Sequence, residues 1–153
     1  MSDIRRFFIP GATVPKQRPR FSKKMGRAYT PAKTTHAEGS VKLFYRQAYP
    51  DAPLLTGPVA LTVMCLYPTP TKPRWLAECV AQKSAPYRGA SDWDNLGKLV
   101  SDALNKVAWD DDRQIWLATV IKRYCKGNEV PGTEISIFDC SDIVPVKNVS
   151  PAV

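Results

Sequence analysis

The sequence predicts one α+β domain, a small mixed sheet covered by helices. Three observations carry that expectation. Short apolar runs bounded by Gly and Pro read as strands, one stretch carries an unbroken apolar stripe at helical spacing, and the element order along the chain is β-α-β-(α)-α-β-β. With 153 residues, 44% of them hydrophobic, the chain can fill a single core, since a domain of about 150 residues buries about 70% of its unfolded surface.

Ile4 to Ile9 is a short apolar run closed by Pro10 and Gly11, hence a strand ending in a turn. A basic loop follows. From Pro31 to Ala48, Ala37, Val41, Phe44, Tyr45 and Ala48 recur at helical spacing before Pro50 and Pro53 stop the element. Val59 to Tyr67 reads as a buried central strand. Pro68 to Pro73 is a loop, and Pro73 suits the first turn of a short helix carrying Leu76, Cys79 and Val80, with loop again over 84–90. The strongest helix begins near Asp94, where Leu96, Leu99, Val100, Ala103, Leu104 and Val107 form one stripe. Strands are expected over Gln114 to Tyr124 and Thr133 to Phe138. The domain therefore spans residues 1–140, and 141–153 form a tail expected to lie loosely on the surface.

Composition narrows the class. No run approaches the ~18 apolar residues of a membrane span, and no secretory leader pattern opens the chain, so a soluble, cytoplasmic protein without membrane partners is expected. Cys65, Cys79, Cys125 and Cys140 contain no C-x-x-C pair, and His36 is the only histidine. Zinc is disfavoured, and reduced, buried thiols are expected.

Charge is strongly local. Residues 1–50 carry a net +9 and residues 91–112 a net −4 within an overall +8. Lys16, Arg18, Arg20, Lys23, Lys24 and Arg27 form a basic arm without an acid, stiffened by Pro15 and Pro19 and interleaved with Phe21 and Tyr29. A solvated loop would explain the charges alone, but rings among cations suit a nucleic-acid backbone, and no amphipathic face points to a membrane.

The acids cluster around the strong helix. Its apolar stripe sends Asp94, Lys98 and Asp102 to the opposite face at i+4 steps. Asp94 is a good N-cap, and Asp92 lies two residues earlier in extended chain, so both carboxylates can face one side. Asp110, Asp111 and Asp112 follow the helix. The bland reading is a capped helix with ordinary i+4 pairs worth ~0.3 kcal/mol. Against it, clustered carboxylates repel one another unless a cation sits among them, and hard oxygen ligands beside a lysine suit Mg²⁺ and phosphate. Trp93 reads either as a packed aromatic or as a ring for stacking on an unpaired base. Trp75, Trp109 and Trp116 read as core or interface residues, and His36 as a helix-surface residue rather than a general base.

The string Asp92-Trp93-Asp94-Asn95-Leu96-Gly97-Lys98, continued by Asp102-Ala103-Leu104-Asn105 and then Trp109-Asp110-Asp111-Asp112-Arg113-Gln114-Ile115, resembles the RusA family of Holliday junction resolvases, whose hallmark is D-x-D-N-L-x-K-x-x-x-D-A-L followed by a W-x-D-D-x-Q turn. Ile9-Pro10-Gly11, the Val14 to Arg20 segment and Pro131-Gly132 extend the likeness over residues 4–138. Trp93 stands where the family commonly has an aliphatic residue, and Ser91 where proline or arginine is frequent. The resemblance implies a RusA-like fold and a crossover junction endodeoxyribonuclease. It assigns Asp92, Asp94 and Asp112 as metal ligands and Lys98 as the lysine beside the scissile phosphate; Asp111 and Asp102 match further acids of the pattern, Asp111 expected to assist orientation and Asp102, two turns into the helix from the metal end, expected to be structural. It also implies Mg²⁺, with Mn²⁺ as a substitute and no nucleotide cofactor, a homodimer on four-way DNA making paired nicks, and a phage or prophage origin. The rival expectations are a flap or fork nuclease of the same chemistry, a junction-binding protein without catalysis, and a basic RNA-binding module.

Overall fold

The computed structural model describes residues 3–69, 86–87, 89 and 91–143. The short helix expected after Pro73, most of the loop before Ala90, Trp75, Cys79 and the end of the tail lie outside the described residues.

β1 (Ile4–Pro10) ends where expected, at Gly11, whose φ of 101° is open to glycine at little cost. It pairs antiparallel with β6 (Gly132–Asp139), β6 pairs antiparallel with β4 (Val59–Tyr67), and β4 pairs parallel with β5 (Ile115–Tyr124). The sheet order is β1-β6-β4-β5, so β4 is central and β5 forms an edge. Two parallel neighbours need a crossover. The segment joining β4 to β5 includes α2 (Trp93–Leu104) and a 3-10 turn at Asp112–Gln114. α1 (Ala32–Ala48) packs against α2 and against β1.

Period-two burial along β4 gives its helix-facing side: Val59, Leu61, Val63 and Cys65 are all essentially buried. Leu96, Leu99, Val100, Ala103 and Leu104 of α2 join them in one core cluster. α2 stops at Leu104 rather than Val107, because Asn105 leaves the helical backbone (ψ 129°) and Lys106 follows in a left-handed one (φ 62°), while Val107 still packs against the core. Cys65, Cys125 and Cys140 are buried, and burial pushes the Cys65 thiol up to about 11. Trp109 is wholly buried, whereas Trp116 is 56% exposed on β5, which removes the core reading for it. His36 lies exposed on α1, as expected. No helix among the described residues is long and apolar enough to cross a membrane.

Among the described residues, Arg5 is the most deeply buried charge, ahead of Arg123. Arg5 is 2% exposed, and its guanidinium donates to Asp3 Oδ2 (2.8 Å), Tyr45 Oη (2.6 Å) and the Pro53 carbonyl (2.9 Å). A buried charge is tolerated only when its donors are matched. Tyr45→Phe is therefore expected to cost about 1–3 kcal/mol in urea denaturation. An unchanged midpoint would show that the tyrosine hydroxyl is dispensable to Arg5.

Candidate active site

α2 starts one residue before the sequence suggests. Trp93 is its first residue and Asp92, not Asp94, holds the N-cap position, with extended backbone (φ −70°, ψ 138°) and no side-chain capping bond. A helix boundary of this kind shifts easily by one residue. The shift leaves the Asp92 carboxylate exposed and uncommitted to capping, and puts Asp94 in the first turn, where the partial positive charge of the helix end favours an anion.

Asp94 and Lys98, one turn apart, line a cavity of about 270 Å³ between α2 and the sheet, and Asp112 lines the same cavity. Gly97 makes the close seating of the helix feasible: a Cβ there would come to 3.0 Å from Val120 of β5. Asp92 is not among the lining residues. Among the described residues no three Asp, Glu, His or Cys side chains are grouped to hold one ion. The expected three-carboxylate cradle is thus present as a pair, Asp94 and Asp112, with Asp92 at the helix cap beyond the cavity. That pair still fits Mg²⁺, which takes one or two carboxylates and keeps several waters.

Asp112 is fixed by a device that the motif encodes. The Trp109 ring is buried in the core and its indole Nε1 donates to Asp112 Oδ1 at 2.8 Å, leaving Oδ2 without a partner among the described residues. Asp111 caps the 3-10 turn instead: its Oδ1 accepts from the Arg113 amide (2.8 Å) while the Arg113 guanidinium bonds both carboxylate oxygens at 3.0 and 3.2 Å. Gln114 accepts from the Asp111 amide (2.7 Å) and donates to the carbonyls of Leu55 and Gly57 (2.8 and 2.9 Å). Trp109, Asp111 and Gln114 together hold the turn that presents Asp112. Asp110 pairs with Lys106 at the surface, 3.1 Å apart.

Asp102 diverges from Asp94. Eight residues on a helix of 3.6 per turn leave them about 80° apart, and Asp102 faces Lys16 rather than the cavity. The Lys16 ammonium bonds Asp102 (3.0 Å) and Glu38 of α1, and its amide donates to the Asn95 carbonyl (2.9 Å). Lys16 therefore differs from the rest of the arm: its charge is spent on two internal carboxylates, clamping the arm's root to both helices, so the sequence reading of it as a free phosphate contact is corrected.

Beyond the clamp the arm is a ribbon rather than the expected loop. β2 (Arg20–Ser22) and β3 (Arg27–Tyr29) pair antiparallel around a turn where Gly26 has φ 64° and Ser22 accepts from the Met25 and Gly26 amides. Arg18, Arg20, Lys23, Lys24 and Arg27 are all exposed, and none has an ion-pair partner among the described residues. Phe21 (67%) and Met25 (52%) are exposed beside them. The sequence hides the ribbon because three-residue strands facing water carry no apolar alternation.

Trp93 is 65% exposed, which removes the packed-aromatic reading. Lys122, which the sequence gives no reason to single out, donates to the Ser91 carbonyl at 2.6 Å and so anchors the chain entering Asp92. The preceding segment also lies on β5: the Tyr87 amide donates to the Lys122 carbonyl, and the Tyr87 ring stacks on Tyr67 with centroids 3.5 Å apart.

Asp94, Asp112 and Lys98 line one cavity, and the same domain carries an exposed basic ribbon. The sequence of residues 10–138 matches the family described as Endodeoxyribonuclease RusA. The chain belongs to that family of DNA endonucleases, which act on Holliday junctions. It is also 31% identical over 147 residues to the uncharacterized protein YqaN of Bacillus subtilis (strain 168), covering 91% of this chain and 99% of YqaN.

Arg113 holds the Asp111 carboxyl down at about 2. A carboxylate whose pKa is depressed by folding stabilises the fold above its unfolded value near 3.9, and that contribution disappears as pH falls through about 2. In a carboxyl-carbon NMR titration Asp111 should stay ionised through pH 3.5. A midpoint near 4 would mean that the cap is not formed in solution.

Proposed function

We propose that this chain is a Mg²⁺-dependent endonuclease that resolves four-way DNA junctions by paired, symmetric incisions. The observation that carries the reading is that Asp94, Lys98 and Asp112, which stand at the acidic and lysine positions of the family motif, line one cavity although eighteen residues separate the first from the last. Asp94 and Asp112 would hold the ion, and Asp92 is the further carboxylate that the family pattern supplies. Bound there, Mg²⁺ contributes Lewis-acid polarisation of a phosphodiester and a more acidic water at neutral pH.

The chain's own groups do the rest. Trp109 keeps Asp112 oriented from the protein side, as hydrogen bonds behind metal ligands do. Lys98 has no ion-pair partner among the described residues, and its ammonium stands ready for a phosphate oxygen at the cavity rim. The five exposed cations of the ribbon and its approach hold a polyanion that the acids alone would repel. Without them the carboxylates would face an empty site.

Symmetric incision calls for two copies related by a two-fold axis. The outer edge of β5 suits that contact: Trp116, Leu117 and Ile121 are 56%, 51% and 38% exposed on a sheet edge, the kind of surface that proteins ordinarily cover.

Incubation with a synthetic four-way junction, with and without Mg²⁺ and with flap and fork substrates alongside, tests the reading by mapping incisions on every strand. Paired symmetric nicks confined to the junction and abolished by EDTA are expected; faster cutting of flaps or forks would reassign the substrate. Asp94→Asn should abolish cutting while junction affinity stays equal or rises, because a ligand and a repelling charge both leave; lost binding would count against the assignment. Replacing Arg18 and Arg20 with Ala should make the log–log salt dependence of binding shallower by about 1.8, at ~0.9 per phosphate contact, whereas Lys16→Met should leave the slope alone. The opposite pattern would put Lys16, not the ribbon, on the phosphates.

A further inference from the structure

The cavity beside Asp94 and Asp112 is built for more than an ion and a phosphate. Its rim carries the charged groups, but its interior is apolar, floored by Leu61 and Val63 of β4 and walled by Ile115 and Val120. Neither a hydrated cation nor a phosphodiester gains from such walls. Trp93 stands at the rim with 65% of its surface in water, a large apolar ring that the core does not use. The lining also includes two hydroxyls: Ser101, which donates to the Lys98 carbonyl at 3.2 Å and keeps lone pairs free to accept, and Thr119, exposed on β5.

Apolar faces, a polar edge and covalent attachment to a phosphate describe a nucleobase. Charge argues for the same occupant. Lys98, without an ion-pair partner among the described residues, complements the phosphate of the nucleotide whose base would enter, and a cavity of about 270 Å³ has room for a ring system. Drawing a base from a duplex stack costs a few kcal/mol, least where pairing is already disrupted, and stacking on an aromatic side chain returns ~1–3 kcal/mol per base. At a branch point the two magnitudes are comparable; within intact duplex the cost is larger.

We propose that this cavity captures the base adjoining the scissile phosphate, with Trp93 stacked on its face and Ser101 and Thr119 reading its polar edge. The capture rests on the junction-nuclease reading and adds to it a subsite that selects where along the branch the strand is cut. Trp93 and the two hydroxyl residues are then specificity determinants, separate from the carboxylates.

The test uses the full chain and four-way junctions carrying 2-aminopurine at each nucleotide flanking the mapped incision, bound in EDTA so that no strand is cut. At one flanking position, binding should quench the emission at least twofold relative to Trp93→Ala, and Trp93→Phe should keep most of the quench. In Mg²⁺, the double substitution of Ser101→Ala with Thr119→Val should compress the spread of cleavage rates across the four bases at that position at least threefold, with junction affinity within twofold of the unaltered protein. Trp93 is exposed, so its removal should not unfold the domain, and a thermal melt verifies this. Emission equal in the unaltered protein and Trp93→Ala at every position, with the same base spread in the hydroxyl variant, would overturn the capture. A protein that binds the junction but never cuts it sinks the nuclease reading instead, and the emission comparison still decides whether a base enters.

Discussion

A tryptophan enclosed by the core still has one polar hydrogen to place, and Trp109 places it on Asp112. That single 2.8 Å bond joins the packing of the domain to its chemistry. The ring is fixed by burial, so the carboxylate it touches inherits the rigidity of the interior while one oxygen remains open to the cavity. Gln114 and Asp111 tie the same turn from the other side, to the carbonyls of Leu55 and Gly57 and to Arg113. Loosening the turn would release Asp112, the one cavity-lining acid outside α2 among the described residues.

The second constraint is the close seating of α2. Its apolar stripe determines which side faces the sheet, and Gly97 removes the side chain that would hold helix and β5 apart. Asp94 and Lys98 then flank a gap instead of pointing into bulk water. Farther along the helix, the turn per residue carries Asp102 away to Lys16, so acids on one helix divide between a proposed chemical role and a structural one. The opposed roles arise from geometry and not from residue type.

Much of this was legible in the chain. Apolar runs and spacing placed β1, α1, β4, β5 and β6 to within a residue or two and the start of α2 to within one, while α2 ends three residues before its stripe does. The motif residues named candidate site positions, of which Asp94, Lys98 and Asp112 line one cavity, and the RusA resemblance agrees with the family match. Three things were not legible. The ribbon of β2 and β3 buries no face and so leaves no pattern. The Lys16 clamp joins residues 22 and 86 positions apart that have ordinary surface chemistry in sequence. The cap at Asp92 in place of Asp94 is a shift of two residues, a difference that local propensity does not resolve.

The length of the ribbon has a geometric consequence. Strands of three residues at ~3.3 Å each extend about 10 Å, close to the ~12 Å width of a DNA major groove. An arm of that reach, clamped at its root by Lys16, carries its exposed cations about one groove width away from the two helices.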